Sequence, residues 1–276
     1  MSNAILGPLI NPRIPGGRQN MPGIGVGTPT GAGRLDPSDV KSAIIQAIEL
    51  GYRHLQTAIS SVFEHLAIGE AIAEALERRL VSCREDLFIT SKIEYHDDAG
   101  NYEVVIQDLN KFLEKLKLVY VDLYLIQLPD QKDEIPVTDL MLVWSAMEEC
   151  KKLGLTKSIG VCNFSYNMLE NILKHAKIPP SVNQVGLHKL LKEKEVRELC
   201  MANKISIIAS YISTIGGTEK HLSSTQIKEF DFLNKIAKDG HKTADQVVLK
   251  WAYEQGAALL LESLDKEHMQ EMLNIS

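Results

Sequence analysis

The sequence predicts a (β/α)8 barrel, and three observations carry that prediction. Short apolar strand-like runs alternate with longer helical patterns through most of the chain, and seven such units can be counted. Alternation at this pace implies parallel pairing through right-handed crossovers. A doubly wound sheet, the competing arrangement, calls for a glycine-rich turn straight after its first strand. The run Tyr52–Ala58 is instead followed by Ile59-Ser60-Ser61-Val62, which has no glycine.

The elements follow in chain order. Asp36-Pro37-Ser38-Asp39 reads as a helix cap with proline at the first helical position. Val40, Ile44, Ala47 and Ile48 then recur at helical spacing, and Gly51 stops the helix. Strand-like runs fall at Tyr52–Ala58, Leu87–Lys92, Val119–Leu128, Ser158–Asn163, Ser181–Val185, Ile205–Ala209 and Ala257–Leu261. Between and after them lie helical stretches at Leu66–Leu80, Tyr102–Leu116, Asp139–Leu153, Tyr166–Ala176, Glu193–Ala202, Gln226–Lys238 and Thr243–Glu254. Leu273-Asn274-Ile275 is expected to be the stub of an eighth strand. Residues 1–276 are expected to form one domain, with 1–34 as an N-terminal extension that includes a hairpin at the barrel bottom.

Composition narrows the function. The chain is 45% hydrophobic and 24% charged, with a formal net charge of -6. An acidic balance argues against a nucleic-acid partner, which selects a basic face. No apolar run approaches the roughly 20 residues that span a bilayer, so no membrane partner is expected. The first 20 residues lack the basic-then-apolar order of a secretory signal. Cys83, Cys150, Cys162 and Cys200 are scattered without CxxC spacing, so neither a disulfide framework nor a zinc site is expected, and the location expected is cytoplasmic. In a barrel of this type the chemistry sits at the carboxyl ends of the strands.

Several segments resemble the aldo-keto reductase family, most closely its plant branch that includes chalcone, codeinone and methylecgonone reductases. They include Gly51-Tyr52-Arg53-His54, Gly69-Glu70-Ala71-Ile72, Leu87-Phe88-Ile89-Thr90-Ser91-Lys92 and Val121-Asp122-Leu123-Tyr124-Leu125-Ile126. Ala146-Met147-Glu148-Glu149, Ser158-Ile159-Gly160-Val161-Cys162-Asn163-Phe164-Ser165 and Val182-Asn183-Gln184-Val185 continue it in family order. The resemblance implies a barrel that moves hydride from NADPH to a carbonyl. It also implies a tyrosine acid tuned by a lysine, an aspartate paired with that lysine, and a histidine that orients the carbonyl.

Carried over one position at a time, the lysine is Lys92, the aspartate is replaced by Gln56 and the histidine by Gln127. The tyrosine falls on Ser61 or Val62, because this segment is one residue longer than the family pattern. At the position of a serine that holds the nicotinamide carboxamide stands Cys162, while Asn163 and Gln184 are kept. Tyr211 matches the stacking aromatic only with a shift of register. The lysine and arginine that grip the adenosine 2′-phosphate become Glu262 and His268, with Ser263 between them. A carboxylate in place of a lysine turns an attraction of about 1 to 4 kcal/mol at ~4 Å into repulsion.

These replacements lead to the expectation that NADPH binding is vestigial and that the protein works without a cofactor. Lys92 and Glu94 share one side of a strand by period-two alternation and form the candidate acid/base or iminium-forming pair. Gln56, Ser61, Tyr95, His96, Gln127, Leu128 and His188 are the candidate pocket. Cys162, Asn163, Gln184, Tyr211 and Ser263 are the candidate remnant of a cofactor site, and no metal is expected. The ligand expected is a small apolar metabolite, such as an alkaloid or polyketide, handled by a cyclase, isomerase or lyase. Two alternatives stand beside this: a non-catalytic binder or accessory subunit, and a residual NADPH-dependent carbonyl reductase. The family's last helix and C-terminal tail are expected to be missing, which leaves apolar flanks for a second copy or a protein partner to cover.

Overall fold

The computed structural model describes residues 21–28, 36–57, 62–95, 102–128, 135–212 and 243–273. Eight strands close into a parallel barrel in chain order. They are β1 (Ile24–Gly27), β2 (His54–Gln56), β3 (Phe88–Glu94), β4 (Val121–Gln127), β5 (Thr156–Cys162), β6 (Val182–Gly186), β7 (Ser206–Ile212) and β8 (Ala258–Glu262). The helices described are α1 (Pro37–Leu50), α2 (Val62–Glu77), α3 (Tyr102–Leu116), α4 (Val137–Lys152), α5 (Tyr166–His175), α6 (Leu187–Lys192), α7 (Lys194–Ala202), α8 (Ala244–Glu254) and α9 (Lys266–Met272). The stretch 226–238, expected to be helical, lies outside the described residues.

The strand count corrects the expected one. The seven runs read from the sequence are β2 to β8, and the missing strand is at the other end of the chain. Ile24–Gly27 pairs in parallel with both His54–Gln56 and Ala258–Glu262, so it closes the barrel instead of belonging to an N-terminal extension. Leu273 follows α9, and the eighth strand is already complete at Glu262. Two glycines in four residues hide β1 from any reading by strand propensity. One of them is required by close approach: a Cβ on Gly25 would lie 2.7 Å from the His54 ring.

Local chemistry explains the helix ends. Asp36 accepts a hydrogen bond from the Ser38 N–H at 2.8 Å, Pro37 opens α1, and Gly51 leaves it with φ of 107°. Thr243 and Gln246 form a reciprocal capping box at α8. Asp265 accepts from the His268 N–H at 2.7 Å and so starts α9 directly after β8.

Alternation along the strands makes two cores. Leu55, Ile89, Ile93, Tyr124, Ile126, Ile159, Val161, Leu259 and Leu261 face outward and pack under the helices. Phe88, Leu123, Leu125, Cys162, Val182, Ile208, Ala258 and Leu260 face inward, with Met21 completing the inner cluster. The inner cluster fills the barrel from below and leaves the inward side chains at the carboxyl ends to form the site.

Candidate functional site

Strand register places each candidate. Glu94, Gln127 and Cys162, the last residues of β3, β4 and β5, stand opposite one another at the mouth, and the same register continues through Gln184 on β6 down to Ile208 in the inner cluster. Lys92 lies opposite Leu125 and Gly160 in the row beneath. Gln56 stands opposite Gly27 and Thr90, and Glu262 stands opposite Gly27 and Ile212. Lys92, Gln56, Gln184 and Glu262 are all buried. Lys92 is the one lysine or arginine at an inward strand position among the described residues.

The hydrogen bonds at the mouth leave particular atoms available. The Cys162 thiol donates to Gln127 Oε1 at 3.9 Å, which leaves the Gln127 amide hydrogens on the other side of the group. Gln184 Oε1 is buried and has no hydrogen-bond partner, and Gln56 Oε1 is in the same condition. Buried amide oxygens of this kind are costly unless a ligand or water completes them. Asn163 adopts a left-handed φ of 65°, and its N–H donates to the Gln184 carbonyl at 2.8 Å. Beyond β8, Ser263 Oγ accepts from the Asp265 N–H at 3.1 Å and lies 3.2 Å from His268 Nδ1. His268 Nε2 is buried and has no hydrogen-bond partner.

Several expected pocket residues are elsewhere. Tyr95 and Leu128 are buried in the outer core under the helices. They follow inward-facing Glu94 and Gln127, so alternation turns them away from the mouth. Tyr211 likewise packs on the outer side, and Ser210 keeps the inward position. The register shift that would make Tyr211 a stacking aromatic does not occur. Lys92 and Glu94 do share the inward side, yet no ion pair joins them among the described residues. His188 belongs to α6, its side chain outside the described residues, as are Ser61 and His96.

Two features of this end escaped the sequence reading. Thr28, directly after β1, donates to Glu64 Oε2 at 3.2 Å, and both residues are buried. Glu64 lies in the first turn of α2, and burial pushes its carboxyl above the ordinary range while the Thr28 bond opposes that. The pattern Ser61-Val62-Phe63-Glu64 was the available signal, since a Ser-x-x-Glu run marks a helix start. Deeper in, His54 bonds Thr90 Oγ1 at 2.9 Å through Nε2 and meets Phe88 edge-on. Burial holds its pKa down at about 3, so it is a neutral core group. Its inward parity, two residues before Gln56, was legible once β2 was placed.

The family model for the aldo/keto reductase family matches residues 23–276. The chain belongs to the aldo/keto reductase family. It is 41% identical over 266 residues to deoxymugineic acid synthase 1 of Zea mays, covering 92% of this chain and 82% of that protein. It is also 41% identical over 266 residues to the NADPH-dependent codeinone reductase of Papaver somniferum, covering 92% of this chain and 81% of the relative. Among solved structures, an aldo-keto reductase of Bombyx mori in complex with NADP superposes with a TM-score of 0.74 at 26% identity, over 93% of this chain and 84% of that one. An aldo-keto reductase complexed with NADPH gives 0.75 at 27% identity, over 94% of this chain and 80% of that one.

These relatives overturn the expectation of a cofactor-independent, non-redox enzyme with a vestigial nucleotide site. The likeness to these reductases runs over 92% of the chain and outweighs a few replaced side chains. No helix among the described residues is long and apolar enough to cross a membrane. No cluster of metal-ligating side chains occurs among them either.

Proposed function

We propose that this protein is an NADPH-dependent carbonyl reductase in which Lys92 serves the carbonyl oxygen. The residues at the mouth suit the nicotinamide end of the cofactor. A primary carboxamide offers two N–H donors, and the orphaned Gln184 Oε1 is a buried acceptor in the same row as Gln127. Asn163 beside it offers a second amide. The Ser263–His268 pair beyond β8 presents a polar, neutral face where an anionic oxygen of the cofactor could be received. NADPH, when bound, supplies the hydride.

The chain's own groups handle charge and proton. As negative charge builds on the carbonyl oxygen, the Lys92 ammonium stabilises it in a site from which water is largely excluded. Such preorganised stabilisation is commonly the largest catalytic contribution. Lys92 Nζ then gives a proton to the alkoxide and is reprotonated from solvent, so hydride plus proton converts carbonyl to alcohol. The Gln127 amide hydrogens, left over by the Cys162 bond, orient the same oxygen from the neighbouring strand. Gln127 has no ionisable proton and takes only this orienting role.

The observation that carries the reading is Lys92: a buried cation at the mouth with no ion pair among the described residues, where a developing oxyanion is the natural partner. The test is calorimetric titration with NADPH followed by turnover with simple aldehydes. NADPH is expected to bind to wild type and Lys92→Met alike, to bind more weakly to Gln184→Leu, and to be oxidised rapidly only by wild type. Failure of wild type to bind NADPH would end the reading.

A further inference from the structure

Resting on the reductase reading, we infer that Cys162 is a second reactive group of the same mouth: it adds to the β-carbon of α,β-unsaturated carbonyl compounds, and the adduct blocks the nicotinamide seat. Of the four cysteines, Cys162 alone stands at an inward strand position, as the last residue of β5. Cys150 and Cys200 lie on α4 and α7, where burial pushes their thiol pKa values up to about 12. Cys83 is exposed and lies on the amino side of β3, away from the mouth.

The neighbours of Cys162 point to a ligand. Gln184, its register partner on β6, is 1% exposed and carries an amide oxygen without a hydrogen-bond partner. Gln127, its register partner on β4, accepts the thiol hydrogen at Oε1 at 3.9 Å. The hydrogens of that same amide orient the carbonyl oxygen in the reduction, so one side chain serves both thiol and carbonyl. A conjugated carbonyl compound held by its oxygen at Gln127 and Lys92 brings its electrophilic β-carbon against the sulfur. Cys162 is 4% exposed, so reagents from bulk solvent meet it slowly, and a compound that the site itself holds has the advantage of proximity.

The step balances without oxidant or reductant. The sulfur electron pair forms the S–C bond, and the C=C pair moves through the carbonyl carbon to the oxygen. The Lys92 ammonium stabilises the enolate that results, as it stabilises the alkoxide in reduction. The thiol proton leaves to solvent and one proton returns to the α-carbon, so thiol and enone combine whole. The thioether then occupies the space between Gln127 and Gln184, where the cofactor's carboxamide is received.

The test treats the full chain, free of cofactor, with cyclohex-2-en-1-one, locks the adducts with borohydride and maps them by peptide mass spectrometry. Iodoacetamide, applied separately, is the reagent that the site does not hold. It is expected to label exposed Cys83 ahead of Cys162. Cyclohexenone is expected to reverse that order, labelling Cys162 ahead of Cys83 by about tenfold or more. Lys92→Met should lower cyclohexenone labelling of Cys162 by about tenfold or more, for loss of the group that holds the enolate. Cys150 and Cys200 should stay unlabelled in both proteins, which shows that the variant is folded. Calorimetric titration should find NADPH binding lost in proportion to labelling of Cys162, and kept at its own untreated level in Cys162→Ser given the same treatment. Three results would overturn the inference: cyclohexenone labelling of Cys83 equal to or ahead of Cys162, equal labelling of Cys162 in wild type and Lys92→Met, or NADPH binding that survives full labelling. Untreated protein that binds no NADPH ends the reductase reading instead, and the labelling order with its dependence on Lys92 then decides this inference.

Discussion

The two storeys of the barrel interior are built on the same strands and obey different rules. In the lower storey Phe88, Leu123, Leu125, Val182, Ile208 and Leu260 interlock with Met21 into a dry core. In the upper storey the inward positions hold Gln56, Lys92, Glu94, Gln127, Gln184 and Glu262, several of them buried and two with an orphaned amide oxygen. The lower storey is held by apolar packing, with His54 Nδ1 as its one unsatisfied atom among those named, while the upper one contains amide oxygens that a ligand or water would complete. Stability and function therefore separate along the strand axis, by as little as the two residues from Leu125 to Gln127 on β4.

The sharpest way to break that contrast is substitution of Lys92. Lys92→Met is expected to lower kcat by about 10²–10⁴-fold, the usual contribution of a positioned proton donor. Its melting temperature should stay near that of wild type, because an apolar chain replaces a buried ammonium that has no ion pair among the described residues. Leu125→Ala, in the next strand and facing the same interior, should do the reverse. A loss of about 2–5 kcal/mol in urea unfolding is expected from the cavity, with NADPH affinity retained in the folded fraction.

His54 belongs to the lower storey and gives it a pH signature. Its folded pKa of about 3 lies below the ordinary 6.5, so the unfolded chain takes up the proton more readily. The stability it contributes is present above pH 6.5 and is lost as pH falls toward 3. In that window the slope approaches about 1.4 kcal/mol per pH unit. Comparing urea unfolding of wild type and His54→Leu between these limits should show the slope removed in the variant. Gln127→Leu should have the smallest effect, about a tenfold drop in kcat/KM for loss of one orienting hydrogen bond, with unchanged unfolding.

Much of this architecture was legible in the sequence. The alternation of runs predicted the barrel, and period-two spacing put Lys92 and Glu94 on one side of β3. What was lost was lost for physical reasons. Ile24-Gly25-Val26-Gly27 carries too little strand signal, because its glycines answer to the neighbouring His54 and Gln56 side chains and not to local propensity. Tyr95 and Leu128 looked like pocket residues and Tyr211 like a cofactor-stacking aromatic by position, but whether a side chain faces in or out depends on register, which only pairing defines. The expectation that cofactor binding is lost gave the replacements at Glu262 and His268 more weight than the kept Asn163 and Gln184, and a likeness to NADPH-dependent relatives over nine-tenths of the chain reverses that balance.

The central claim is that the upper storey receives a hydride from NADPH and a proton from Lys92. It is tested most directly by incubating the protein with an aldehyde and NADPH deuterated at the transferable position. The account predicts one deuterium on the carbinol carbon for each NADPH consumed, with product formation nearly abolished in Lys92→Met. Alcohol without deuterium, or turnover in Lys92→Met equal to wild type, would contradict it.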